Sequence, residues 1–176
     1  REPVERITNA IANDRVPPVV FVTGPTGVGK TTFGRVVARA KICKDRKPGE
    51  FEPCGHCANC RVILDDFLCG LPIYEEIDAN ELTHERLFEW RHLAIKPEMV
   101  LFIDEVQDLE PSQMRKLRKM IEGLRATMIL TTTHRDELED ALLNRLKSYE
   151  YRLARPTADD VVEFLAEESP PLGAGG

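Results

Sequence analysis

The octet Gly24-Pro25-Thr26-Gly27-Val28-Gly29-Lys30-Thr31 follows the β-branched and aromatic run Val19-Val20-Phe21-Val22 with only Thr23 between. That run reads as a short buried strand stopping at Thr23-Gly24. A helix opens beyond the octet, because Phe33, Val36, Val37 and Ala40 recur at helical spacing. A strand, a turn spaced G-x-x-x-x-G-K-[ST] and a helix together read as a phosphate-binding loop. Its small residues let the backbone curl until N–H groups point inward on a polyphosphate, and the helix start adds partial positive charge. Gly24, Pro25, Thr26, Gly27, Val28 and Gly29 would line the cradle. Lys30 would reach the β- and γ-phosphates, Thr31 would ligate Mg²⁺, and Thr32 would hydrogen-bond the α-phosphate. The plainer alternative, a glycine-rich turn beside an exposed lysine, leaves the agreement of motif and context to chance.

A second apolar run, Val100-Leu101-Phe102-Ile103, ends at Asp104-Glu105. Carboxylates at the C-terminal end of a buried strand stand where open parallel sheets bind ligands. The spacing suits a Walker B site: Asp104 would hold magnesium through water, and Glu105 would polarise an attacking water or take its proton. A solvated strand end is the competing reading of the pair alone, and the phosphate loop weighs against it.

Further strands are expected near 73–77, at 128–130 and at 149–153, and further helices at about 58–67, 83–93, 112–123 and 138–143. Strands alternating with helices, with centres apolar on both faces, predict an α/β fold with a parallel sheet between helical layers. Residues 1–155 would form this one domain, and 156–176 the truncated start of a further helical element or a linker, with 157–168 reading as the beginning of a helix. With Arg1 at its head and a Pro- and Gly-rich tail at 169–176, the sequence reads as a piece of a longer protein.

Between the first helix and the rest lies an insertion at about 41–61, where Cys43, Cys54, Cys57 and Cys60 form C-x10-C-x2-C-x2-C. Thiolates two residues apart can bite one tetrahedral ion, and four close its coordination, so the site would hold structural Zn²⁺. Such sites bind with on the order of 10–16 kcal/mol, comparable with the roughly 5–15 kcal/mol that keeps a whole domain folded. A redox pair or two disulfides is the competing reading, and His56 could replace one ligand. Cys69 stands apart and reads as a small buried hydrophobe.

The balance of 24 basic against 30 acidic side chains leaves −6, so any contact with nucleic acid must come from a local basic patch. No apolar run reaches the roughly 18–20 residues of a membrane span and no signal peptide opens the chain, so no membrane partner and a cytoplasmic location are expected.

In this order, the phosphate loop, a four-cysteine insertion, an Asp-Glu strand and the threonine-rich Leu130-Thr131-Thr132-Thr133 resemble the AAA+ ATPase domain of bacterial clamp-loader subunits, most closely the gamma/tau family of the DNA polymerase III holoenzyme. The resemblance runs over about 19–165. Besides the loop and the cysteines it rests on Gly55, Arg61, Ile77-Asp78-Ala79 and Ile103-Asp104-Glu105-Val106. It implies a P-loop NTPase sandwich of three layers around a five-stranded parallel sheet, with a zinc insertion. It also implies an ATP- and Mg²⁺-dependent subunit that joins other clamp-loader subunits in a ring, opens a sliding clamp and places it on primed DNA.

Lys30, Glu105, Thr133 and Arg145 would then be the catalytic residues, Thr133 as a polar sensor near the γ-phosphate. Arg145, in Leu143-Asn144-Arg145-Leu146, would point into the neighbouring subunit's ATP site. Such fingers are worth about 10³–10⁵ in rate, so an isolated chain would hydrolyse ATP poorly. Asn144 and Leu146 replace the family's Ser and Cys, and Gln107 stands where His is usual, which marks a divergent member. The related delta-prime subunits carry the zinc module with a degraded loop, so the intact loop here favours gamma/tau; the alternatives are a non-hydrolysing ATP-bound scaffold, delta-prime-like, or another P-loop DNA-processing ATPase.

Arg115, Lys116, Arg118 and Lys119 lie beside the Met114/Leu117/Ile121 stripe of one predicted helix. They would either meet DNA phosphates, through salt-sensitive and sequence-blind contacts, or form an ordinary solvated face, the reading favoured here. Trp90 and Phe88 are expected in the core.

Overall fold

The computed structural model describes residues 2–64, 73–158 and 160. Five strands, β1 (Val19–Thr23), β2 (Tyr74–Asp78), β3 (Val100–Asp104), β4 (Thr127–Thr132) and β5 (Glu150–Arg152), form one sheet in the order β2-β3-β4-β1-β5. Every pairing is parallel. The helices are α1 (Glu2–Ala12), α2 (Lys30–Ile42), α3 (Ala58–Leu64), α4 (His84–Leu93), α5 (Pro111–Glu122) and α6 (Asp140–Leu146).

Alternation along β1 separates the two cores, since successive side chains point to opposite faces. Val19 and Phe21 join Leu101, Ile103, Met128 and Leu130 under α4, α5 and α6. Val20 and Val22 join Val100, Phe102 and Ile129 under α1 and α2. Close approach of α2 to the sheet depends on Gly34: a Cβ there would lie 2.8 Å from the Phe102 ring. The edge strand β2 is half-buried and carries its charge in pairs. Arg35 of α2 holds Glu76 on one face, and Arg86 of α4 holds Glu75 on the other. Charged residues on an edge strand discourage pairing with another chain.

Four expectations need correction or completion. Helix α1, with Ile7 and Ile11 buried four residues apart, lies outside the elements predicted from the sequence. The helix expected at 138–143 begins at Asp140, because Arg135–Glu137 form a 3-10 turn that Leu138 closes with its N–H on Arg135 O. Trp90 is buried, but Phe88 is 61% exposed. The inward stripe of α4 runs through Leu87 and Trp90, which turns Phe88 outward, edge-on to His92 and beneath Arg91. Cys69, the end of the helix expected at 58–67 and most of that at 157–168 lie outside the described residues.

Candidate nucleotide site and metal centre

Parallel pairing brings the C-terminal ends of β1, β3 and β4 side by side. The chain leaves β1 through Gly24, where a Cβ would sit 2.4 Å from Leu153 O, so no other residue fits that passage. Gly29 caps α2 at φ 92°, in the left-handed region glycine enters freely, and no side chain caps this helix start. The first N–H groups of α2 thus face the loop, as an anion cradle requires. Lys30 is only 5% exposed; its Nζ lies 3.4 Å from Pro25 O and 3.6 Å from Glu105 Oε1.

Asp104 ends β3 with both carboxylate oxygens engaged. Thr31 Oγ1 donates to Oδ2 at 2.8 Å, and the Thr131 hydroxyl of β4 donates to Oδ1. Thr131 Oγ1 in turn accepts the Glu105 N–H at 3.0 Å. The register that places Ile103 beside Leu130 puts this threonine next to Asp104.

Glu105 takes φ 51°, ψ 54°, a left-handed conformation costing a non-glycine residue on the order of 1–3 kcal/mol. That turn presents its carboxylate to β4. Oε2 accepts from Thr133 N (3.0 Å), Thr133 Oγ1 (2.9 Å) and Gln107 Nε2 (3.0 Å), while Oε1 faces Lys30. Burial pushes this carboxyl upward, but the Gln107 and Thr133 donors and the Lys30 charge outweigh it and hold Glu105 below its ordinary value.

A cavity of about 1090 Å³ opens beside the loop, between α1, α2 and the segment after β5. Ile7, Ile11, Val28, Phe33, Phe51 and Leu153 are among its lining, and Thr32 stands on its wall. Its apolar character suits a flat aromatic ring. The repeat of Ile7 and Ile11 was the sequence signal for α1, and nothing in it indicated a cavity.

Lys30, Thr31, Asp104, Glu105 and Thr133 therefore come together, with Thr131 and Gln107 as members that sequence reasoning did not assign to the site. Arg145 does not join them: it sits on α6, 44% exposed, and pairs with Glu122 of α5 at 2.6 Å. On α5, Arg115 reaches Glu139 at 3.5 Å and Lys116 Nζ lies 2.9 Å from His84 Nδ1, the pattern of a solvated charged face.

The ligand atoms of Cys43, Cys54, Cys57 and Cys60 all lie within 4.8 Å of one another. A tetrahedral zinc with sulfurs about 2.3 Å away needs them about 3.8 Å apart, and Cys54 Sγ and Cys60 Sγ are 4.0 Å apart. Backbone N–H groups aim at three of the sulfurs: Cys54 N on Cys43 Sγ, Cys57 N on Cys54 Sγ and Cys60 N on Cys57 Sγ, at 3.3–3.5 Å. Burial pushes the Cys60 thiol up to about 12. At Cys57 burial also raises the thiol, but N–H donors of Lys44 and Cys60 outweigh it and bring it down to about 6. The donor set and its spacing fit zinc, and all four thiols are free of disulfides. His56 lies with Asp45 beside Cys54, and its Nδ1 is 2.8 Å from Cys54 O. Asn59 ties the cluster to α2 through Ile42 O, and Arg46 ties its loop to Asp14 beyond α1.

The parallel sheet, the loop at the C-terminal end of β1 and the acidic pair at the end of β3 define an AAA+-type P-loop ATPase fold. The same architecture appears in a RuvB structure from Thermotoga maritima, with TM-score 0.61 at 17% identity, covering 94% of this chain and 48% of that one. A family model described as DNA polymerase III, delta subunit, matches residues 1–153, and the chain belongs to that clamp-loader family. It is 28% identical over 172 residues to DNA polymerase III subunit gamma/tau of Mycoplasma pneumoniae, covering 92% of this chain and 24% of that protein. It is 26% identical over 152 residues to Protein STICHEL-like 4 of Arabidopsis thaliana, covering 83% of this chain and 15% of the relative. The chain thus spans a quarter or less of the length of these relatives.

Proposed function

We propose that this chain is the ATP-binding and ATP-hydrolysing module of a clamp-loader-like assembly, working in the cytoplasm with other subunits, a sliding clamp and primed DNA. The convergence of Lys30, Thr31, Asp104, Glu105 and Thr133 on one sheet edge carries the reading. Lys30 and the loop N–H groups would bind the β- and γ-phosphates, and the apolar cavity beside α1 would take the base. Thr31 and Asp104 would hold Mg²⁺, which when bound neutralises phosphate charge. Glu105, kept ionised by its donors, would align a water on the γ-phosphate and take its proton, and Thr133 would stand next to both. Arg145 on the outer face of α6 suits a group that acts on a neighbouring subunit's nucleotide. The cysteine quartet would hold Zn²⁺ as a structural staple.

Two measurements test this. Titration with a fluorescent adenine nucleotide and magnesium should saturate, and steady-state hydrolysis should rise with partner subunits, clamp and primed DNA and vanish in Glu105→Gln. The alternative is an ATP-bound scaffold with little turnover. Saturable binding without turnover under every condition would select it.

A further inference from the structure

Gln107, like Thr131, is a member of this site to which the proposed function gives no role. It lies in the 3-10 turn Val106–Asp108 that follows Glu105. Its side-chain amide bridges the two strands that carry the site: Nε2 lies 3.0 Å from Glu105 Oε2 and 3.3 Å from Thr133 Oγ1, and Oε1 accepts from the Thr132 hydroxyl. The Glu105 end fixes the amide's orientation. Thr132 Oγ1, which accepts the His134 N–H at 3.1 Å, donates its own proton to Gln107 Oε1. The Glu105 carboxylate only accepts, so it must face Nε2.

The consequence concerns the two oxygens of Glu105. Oε2 is held by three donors, two from Thr133 and one from Gln107, whereas Oε1 has Lys30 Nζ at 3.6 Å. A polyphosphate in the loop would draw Lys30 to itself, freeing Oε1 while Oε2 stays tethered. We propose that Gln107 is a positioning residue for hydrolysis, which locks Glu105 by Oε2 so that Oε1 is the oxygen presented to the attacking water. In that step Oε1 takes the water's proton as the water oxygen bonds to the γ-phosphorus and the bond to the leaving diphosphate oxygen breaks. The inference rests on the hydrolytic reading given above. The mechanical point is that a base held by one oxygen has a single direction in which to act, and misplacement of about 1 Å costs about 10²-fold in rate.

The test compares Gln107→Leu and Gln107→Met, which keep bulk and lose the donor, with Gln107→His, which retains an N–H. All are measured in the assembly that supports wild-type turnover, with thermal melting to verify folding and a fluorescent adenine nucleotide to report affinity. Leu and Met should leave nucleotide affinity within about twofold and lower kcat by about tenfold to 10²-fold, and His should restore kcat. Wild-type kcat in folded Leu and Met variants, or a His variant as slow as they are, would overturn the assignment while leaving the nucleotide site standing. A wild-type protein that binds nucleotide and never turns it over would overturn the hydrolytic reading together with it.

Discussion

Thr31, in the first turn of α2, donates its hydroxyl to Asp104 Oδ2 at the end of β3, across 2.8 Å and 73 residues of sequence. The bond ties the phosphate loop to the acidic strand, so the two motifs present their oxygens as one unit. Preorganised ligand atoms lower the cost of binding a cation. Thr31→Val should therefore weaken nucleotide binding in the presence of Mg²⁺ by about tenfold or more, and change it little in EDTA. Parallel titrations with and without the ion measure this.

Acid should loosen the site through Glu105. Its carboxyl is held below the ordinary value of 4.5, despite burial, by the Gln107 and Thr133 donors and Lys30. A depressed folded value means the contribution is fully present above the unfolded value and is lost as pH falls through the folded one. Wild type should lose stability below about pH 4.5 more steeply than Glu105→Gln, which cannot titrate at that position. Urea unfolding of both proteins at about pH 7, 4.5 and 3 reads the difference directly.

Removal of the zinc proposed for the cysteine quartet should reach further than the quartet's own loop. Phe51 lies between the first two cysteines and lines the large cavity beside the phosphate loop. Chelation, or Cys57→Ser, should lower the melting temperature, and metal analysis of protein purified without chelator should find about one zinc per chain. Affinity for ATP should fall in the stripped protein while affinity for inorganic tripolyphosphate, which has no base, stays near its starting value.

Arg145 offers a contrast between stability and turnover. Its exposed pair with Glu122 is worth about 0–1 kcal/mol, so Arg145→Ala should melt close to wild type. Turnover in the assembled complex should nevertheless drop by about 10³-fold or more if the guanidinium serves a neighbouring site. Equal rates for the two assemblies would remove Arg145 from the mechanism.

Gly34 tests the packing under the site. A methyl group there meets the Phe102 ring at 2.8 Å, so Gly34→Ala should destabilise the chain by about 1–3 kcal/mol. Denaturant titration would show this as a lower midpoint.

The sequence alone determined the elements whose residues agree locally. A buried strand, glycines and a lysine at fixed spacing specify a loop, because backbone geometry and burial there depend on neighbours along the chain. The cysteine quartet is legible for the same reason, since ligand bite is a matter of spacing. What only the tertiary structure decided are relations across the sheet. Thr131 meets Asp104 because β4 lies beside β3 in a particular register. Gln107 faces Thr132 and Thr133 because Glu105 turns through a left-handed conformation that no motif announces. Phe88 points outward because the inward stripe of α4 follows the position of the sheet, and α1 acquires meaning only when it closes a cavity with α2. Long-range pairing sets those contacts, and a linear pattern carries no record of which strand will become whose neighbour.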